Sequence, residues 1–153
     1  MSRRQALAAS VAWIVTPAAA WSQAPAGPDA ATLAAFIDTL LPEDAVSPAA
    51  STLGVPDAIL DFSADVTGLD DLIAGGTAWL NKTGGPAFAQ LSEQDRTRIV
   101  TWMAQSDPAG GANRFYEVVR LLAVEFYYAR PEAISGLPLN TAPQPRGYPP
   151  PWS

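Results

Sequence analysis

The sequence predicts an all-α protein: a small helical bundle of about five helices with an extended, proline-rich C-terminal arm. Three observations carry this expectation. Apolar residues recur at helical spacing in several separate segments, proline and glycine punctuate those segments, and no stretch alternates apolar and polar residues over a useful strand length. A chain of 153 residues with 48% hydrophobic content is enough for one domain with its own core.

The first twenty residues read as an export signal rather than as part of the fold. Met1 to Arg4 is short and positive, with Arg3 and Arg4 adjacent, and Ala6 to Val15 is a compact apolar stretch. That stretch suits a signal h-region and is too short to span a bilayer. Pro17 interrupts it, and Ala18-Ala19-Ala20 supplies an A-x-A cleavage site. The paired arginines point to the twin-arginine route, which carries folded proteins, and hence to a periplasmic location. Cleavage after Ala20 would leave seven basic against fifteen acidic residues, taking the formal net charge from −6 to −8. Residues 21–28 form a linker rich in Ala, Pro and Gly.

The helical domain is expected over residues 29–130. Leu33, Phe36, Ile37, Leu40 and Leu41 fall at i, i+3, i+4, i+7 and i+8, an amphipathic stripe that Pro42 ends. Asp44 to Gly54 reads as a loop. A second helix starts at Gly54-Val55-Pro56, with proline in its first turn, and places Asp57, Asp61 and Asp65 on one face. Leu69 to Leu80 is a third segment, weakened by Gly75-Gly76, and Asn81 to Pro86 reads as a turn. Ser92-Glu93-Gln94-Asp95 resembles a capping box and launches a helix through Ile99, Trp102 and Met103, which residues 107–111 stop. The last helix, about Asn113 to Ala129, carries the strongest pattern. Phe115, Val118, Val119, Leu122 and Phe126 cluster as its core side, with Ala123, Tyr116 and Tyr127 beside them. The opposite sector holds Asn113, Arg114, Glu117, Arg120 and Glu125, and interleaved with these charges lie Leu121, Val124 and Tyr128.

The arm, residues 131–153, closes on APQPRGYPPPWS. Its prolines hold the backbone extended, and Tyr148 and Trp152 are large apolar groups on that strap. Such a strap either folds back on its own domain or docks on a partner. Large apolar residues among charges on an outward face are what an interface needs. Leu121, Val124, Tyr128, Tyr148 and Trp152 are therefore the candidate partner-contact residues.

Chemistry is scarce. The sequence contains no cysteine and no histidine, which removes Cys/His zinc sites, disulfides and Ser-His or Cys-His catalysis. An acidic chain is a poor candidate for nucleic acid. No G-x-G-x-x-G or P-loop occurs, and the pairs Gly75-Gly76, Gly84-Gly85 and Gly110-Gly111 read as turns. The Asp57/Asp61/Asp65 row has the chemistry to hold a hard cation or share a proton, but a solvated helix face explains it more simply. Asp70-Asp71 suits a helix N-terminus. Glu125, among aromatic residues, is a candidate for partial burial. No catalytic residue, metal ligand or cofactor site is assigned to this chain. Two readings besides a partner subunit stand on the residues alone. One is a free-standing periplasmic binding or scaffold protein, and the other is a small enzyme using Glu125 or the aspartate row.

Several stretches taken together resemble the gluconate 2-dehydrogenase subunit 3 family: FIDTLLPED, LGVPDAILDF, LSEQDRTRIV, VVRLLAVEFYYARPE and PQPRGYPPPW, in that order after a signal with paired arginines. The resemblance covers about residues 30–152. It implies a non-catalytic small subunit, a hitchhiker that supports export and assembly of a large flavoprotein. That large partner would carry FAD and oxidise a sugar, polyol or sugar acid. Electrons would pass to a cytochrome c subunit or a quinone pool.

Overall fold

The computed structural model describes residues 27–83 and 85–136. The signal, most of the linker, and the strap residues Tyr148 and Trp152 lie outside the described residues, as do Arg3, Arg4 and Gly84. Five helices are present among the described residues, in the order α1 (Ala30–Leu40), α2 (Val55–Ala64), α3 (Leu69–Thr83), α4 (Glu93–Gln105) and α5 (Gly111–Tyr128). Short 3-10 turns lie at Phe88–Gln90 and Pro131–Ala133, and no strand occurs among the described residues. The all-α bundle expected from the spacing of apolar residues is the observed fold.

Three of the helix starts follow from their local sequence. Asp29 caps α1 by accepting a hydrogen bond from the Thr32 amide at 2.9 Å. Gly54 precedes α2 in the left-handed region, φ 67°, where an L side chain is strained, and Pro56 sits in the first turn. Ser92 caps α4: its hydroxyl accepts from the Asp95 amide at 3.2 Å and donates to the Asp95 carboxylate at 2.7 Å.

Helix α5 is the centre of the bundle. It packs against α1, α2, α3, α4 and the Pro131–Ala133 turn. Phe115, Val118, Val119, Leu122 and Ala123 are fully buried on it, facing Leu33, Phe36 and Ile37 of α1, Ile59 of α2, Leu69, Ile73 and Leu80 of α3, and Met103 of α4. Phe115 packs on Phe36 with ring centroids 4.9 Å apart, and Phe36 reaches Phe88 at 6.3 Å. Each such fully buried side chain stabilises the fold by about 1.5–3 kcal/mol.

Three local expectations are corrected. Gly75-Gly76 does not form a turn; both glycines are buried inside α3, which also continues through Asn81 to Thr83. A Cβ on Gly76 would meet the Phe115 ring at 2.0 Å, so the missing side chain is what lets α5 approach α3. Asn113 does not belong to the outward sector of α5. It is buried, and its amide donates to the Met103 and Ala104 carbonyls at 3.2 Å each. These carbonyls lie in the last turn of α4, and the Met103 oxygen also accepts from the Ser106 amide and hydroxyl. Glu125 is exposed to solvent rather than partly buried.

Asn81 joins three elements. Its side-chain oxygen accepts from the Thr32 hydroxyl and the Phe88 amide, both at 2.9 Å, and its amide donates to the Asp29 carboxylate at 3.1 Å. Thr77 accepts from the Asp29 amide at 3.1 Å. The point where the chain enters the bundle is thereby tied to α3 and to the Phe88–Gln90 turn.

Gly76→Ala is expected to lower the unfolding free energy by about 1–3 kcal/mol through overpacking against Phe115. This loss should appear even though alanine is the better helix former by about 1 kcal/mol. Urea unfolding followed by circular dichroism measures it, and an unchanged or raised midpoint would contradict the close-approach reading.

Candidate partner interface

The residues singled out for chemistry are dispersed. Asp57, Asp61 and Asp65 are all exposed along α2 and its C-terminal cap, as are Asp70 and Asp71 at the start of α3. Among the described residues no group of three or more carboxylates is arranged to hold a metal ion. The glycine pairs do not suit a dinucleotide. Gly76 is filled by Phe115, and the Gly110-Gly111 entry to α5 lies beside Asp107, whose carboxylate accepts from the Ala109 amide at 2.9 Å and whose backbone oxygen accepts from Gly110 at 2.8 Å. An acidic side chain at a helix start opposes a bound phosphate.

The outward face of α5 divides in two. Towards its start, Arg120 pairs with Glu117 at 3.1 Å and lies over the Tyr116 ring at 5.9 Å. Exposed pairs of this kind contribute about 0–1 kcal/mol. Towards its end come the predicted contact residues: Leu121 and Val124 are half-buried and Tyr128 is exposed. They share one face at i, i+3 and i+7, as the helical spacing requires. The structure therefore brings these three together. Tyr148 and Trp152 lie outside the described residues.

The end of α5 meets the loop between α1 and α2 through the adjacent tyrosine. Tyr127 is buried and its hydroxyl donates to the Pro48 carbonyl at 2.7 Å. That loop is internally braced. The Asp44 carboxylate accepts from the Val46 and Ser47 amides at 2.8 Å each, an Asx turn, and the Asp44 amide donates to the Ser47 carbonyl at 3.0 Å. Further along, the Asp38 carboxylate accepts from the Ser51 amide at 2.8 Å and the Ser51 hydroxyl at 2.6 Å. The segment after α5 closes on the same loop. Ala133 is fully buried, its carbonyl accepts from the Ser47 hydroxyl at 3.4 Å, and a Cβ on Gly136 would meet the Val46 carbonyl oxygen at 2.1 Å.

Of the large apolar residues this corner exposes, sequence reasoning found Tyr128 and missed Val46 and Ile134. Val46, Tyr128 and Ile134 are 45%, 55% and 39% exposed. The Asp-x-x-Ser pattern at 44–47 was the available signal for the turn, but nothing in the sequence showed that residues 131–136 pack against it. A second aromatic feature lies on α3 and α4, where Trp102, exposed, stacks on half-buried Trp79 with centroids 5.6 Å apart.

Residues 28–142 match the family described as gluconate 2-dehydrogenase subunit 3. The chain belongs to this family. The match opens one residue before the Asp29 cap, where the bundle begins, and continues past Gly136. Gluconate 2-dehydrogenase subunit 3 is by description one subunit of an oxidoreductase complex, so a surface for other subunits is the feature to look for on this fold. No curated protein and no solved structure matches the chain significantly. Among the described residues, no helix is long and apolar enough to cross a membrane.

Burial pushes the Tyr127 phenol above its ordinary value; the Ser47 hydroxyl opposes this, and Tyr128 and Asp44 add to it. A raised folded value favours the neutral phenol, so the stability linked to it is intact below the ordinary tyrosine pKa of about 10 and is lost as pH rises through the folded value. Tyr127→Phe is expected to cost about 1 kcal/mol near neutrality, through loss of the Pro48 bond. It should also flatten the fall in stability above about pH 10. Urea midpoints for both proteins across that range test this; parallel curves would refute it.

Proposed function

We propose that the protein is the non-catalytic small subunit of a periplasmic, FAD-dependent sugar or sugar-acid dehydrogenase, and that it supports export and assembly of the large catalytic flavoprotein. The family match over residues 28–142 carries this reading. The twin-arginine-like signal at Arg3 and Arg4 supports it, because a flavoprotein that folds around FAD before export needs a route that accepts folded cargo. A large subunit without its own signal would travel bound to this chain. The cofactor and the oxidation of the alcohol or lactol carbon belong to that partner, and electrons leave it for a cytochrome c subunit or a quinone pool. This chain contributes its export address, a rigid helical body and a proline-rich strap. Prolines restrict the strap before binding, so it loses less conformational freedom on docking. Tyr148 and Trp152 are its anchors, and truncating aromatic anchors commonly costs about 2 kcal/mol or more of binding.

Replacing the pair, Arg3→Lys with Arg4→Lys, is expected to leave dehydrogenase activity in the cytoplasmic fraction of the native host. Normal periplasmic activity in that strain would reject the hitchhiker mechanism. Deleting residues 142–153 is expected to reduce co-purification of the flavoprotein while leaving the melting temperature of the small subunit unchanged. Full recovery of the flavoprotein would reject the strap as an anchor, and a lowered melting temperature would assign it to this domain's own core.

A further inference from the structure

The geometry points to the corner formed by the 44–48 loop, the end of α5 and residues 131–136 as the docking face for the large subunit, with Val46, Tyr128 and Ile134 as its apolar centre. The assignment rests on the small-subunit reading and adds which surface is used and what chemistry it meets.

Exposure of three large apolar groups would mean little if they were scattered. Here they are gathered at one end of the molecule by contacts that have structural reasons of their own. The Asx turn at Asp44 shapes the loop tip that carries Val46. Tyr127, immediately before Tyr128, bonds Pro48 in the same loop. Gly136, two residues after Ile134, lies against the Val46 backbone. The tip is therefore held in one conformation before any partner arrives, which lowers the entropic cost of binding. The half-buried Leu121 and Val124 extend the apolar surface from Tyr128 along α5.

Charge identifies the occupant. The two stretches that build the corner, 38–51 and 125–136, hold five carboxylates, Asp38, Glu43, Asp44, Glu125 and Glu132, against one guanidinium, Arg130, a net of −4. Glu43, Asp44, Glu125 and Glu132 are exposed. A complementary partner presents an apolar patch rimmed by several Lys or Arg residues. This chain's own residues 137–153 contain a single basic residue, Arg146, too few to match that rim. A second copy docking by the same face would set acidic rim against acidic rim. The large subunit is thus the occupant that fits, with a basic-rimmed apolar patch as its side of the contact. Gly136, the last described residue, lies in this same corner.

The test uses the full-length chain expressed in its native host with a photo-crosslinking phenylalanine analogue at position 46. The expected product joins position 46 to the flavin-containing large subunit, at a peptide whose surroundings carry Lys or Arg. The triple variant Val46→Asp, Tyr128→Ser, Ile134→Asp should lower recovery of flavoprotein at least about tenfold. Its melting temperature should be preserved, since all three residues are exposed. Glu43→Lys with Glu132→Lys should lower recovery as well. Crosslinks to residues 137–153 or to a second copy, or undiminished recovery by the triple variant, would overturn the assignment while leaving the small-subunit reading intact. A wild-type chain that retrieves no flavoprotein would overturn both.

Discussion

The seating of the Phe115 ring against Gly76 is the contact on which the rest of the bundle depends. It sets the separation of α3 and α5, because any side chain on Gly76 would occupy the space the ring fills. The same ring packs on Phe36 of α1, so one residue joins three helices, and Phe36 in turn touches Phe88 in the turn before α4. A close-packed interior transmits a misfit of even a methyl group to its neighbours. With α5 held at that depth, its other buried residues pack against α2 and α4, and its far end arrives where Tyr127 reaches the α1–α2 loop. The glycine lowers the helix propensity of α3 by about 1 kcal/mol, and the burial it permits along α5 outweighs this.

The interior polar groups complete the frame. Asn113 donates to the Met103 and Ala104 carbonyls at the end of α4, Asn81 gathers the start of α1 and the Phe88 amide, and Tyr127 reaches Pro48. A buried group of this kind is costly when unpaired and contributes about 1 kcal/mol when paired. Each of these three is therefore committed to joining elements. Several carboxylates, among them Glu43, Asp57, Asp61, Asp65, Glu125 and Glu132, are exposed and shape the electrostatic field around the protein.

The helices were legible because their signals are local. Capping at Asp29 and Ser92, the Gly54-Pro56 entry to α2, and the apolar stripe of α5 each lie within one or two turns of chain. What escaped depended on distant contacts. Nothing near Gly75-Gly76 shows that Phe115, some forty positions later, needs their space, so a pair that resembles a turn is helix interior. Asn113 projects to the polar side of an isolated α5, but the C-terminus of α4 lies there and offers it carbonyls. Of the proposed contact residues, Leu121, Val124 and Tyr128 were legible from period alone. Val46 and Ile134 were not, since their exposure is a property of how residues 131–136 fold back onto the loop.

The adjacent tyrosines show how a frame and a recognition surface are made from neighbouring residues. One helical step, about 100°, separates their directions. Tyr127 turns inward, loses water and bonds the loop, whereas Tyr128 packs edge-on against it, ring centroids 5.1 Å apart, and remains exposed. The inward residue therefore holds the outward one and the loop tip in fixed register. A surface braced in this way is preorganised, which lowers the entropic cost of binding. Gly136, the last described residue, lies in this corner, so docking of the corner as proposed would make any second contact through Tyr148 and Trp152 intramolecular. On the proposed reading, two modest contacts linked in this way would combine into a tighter assembly than either alone.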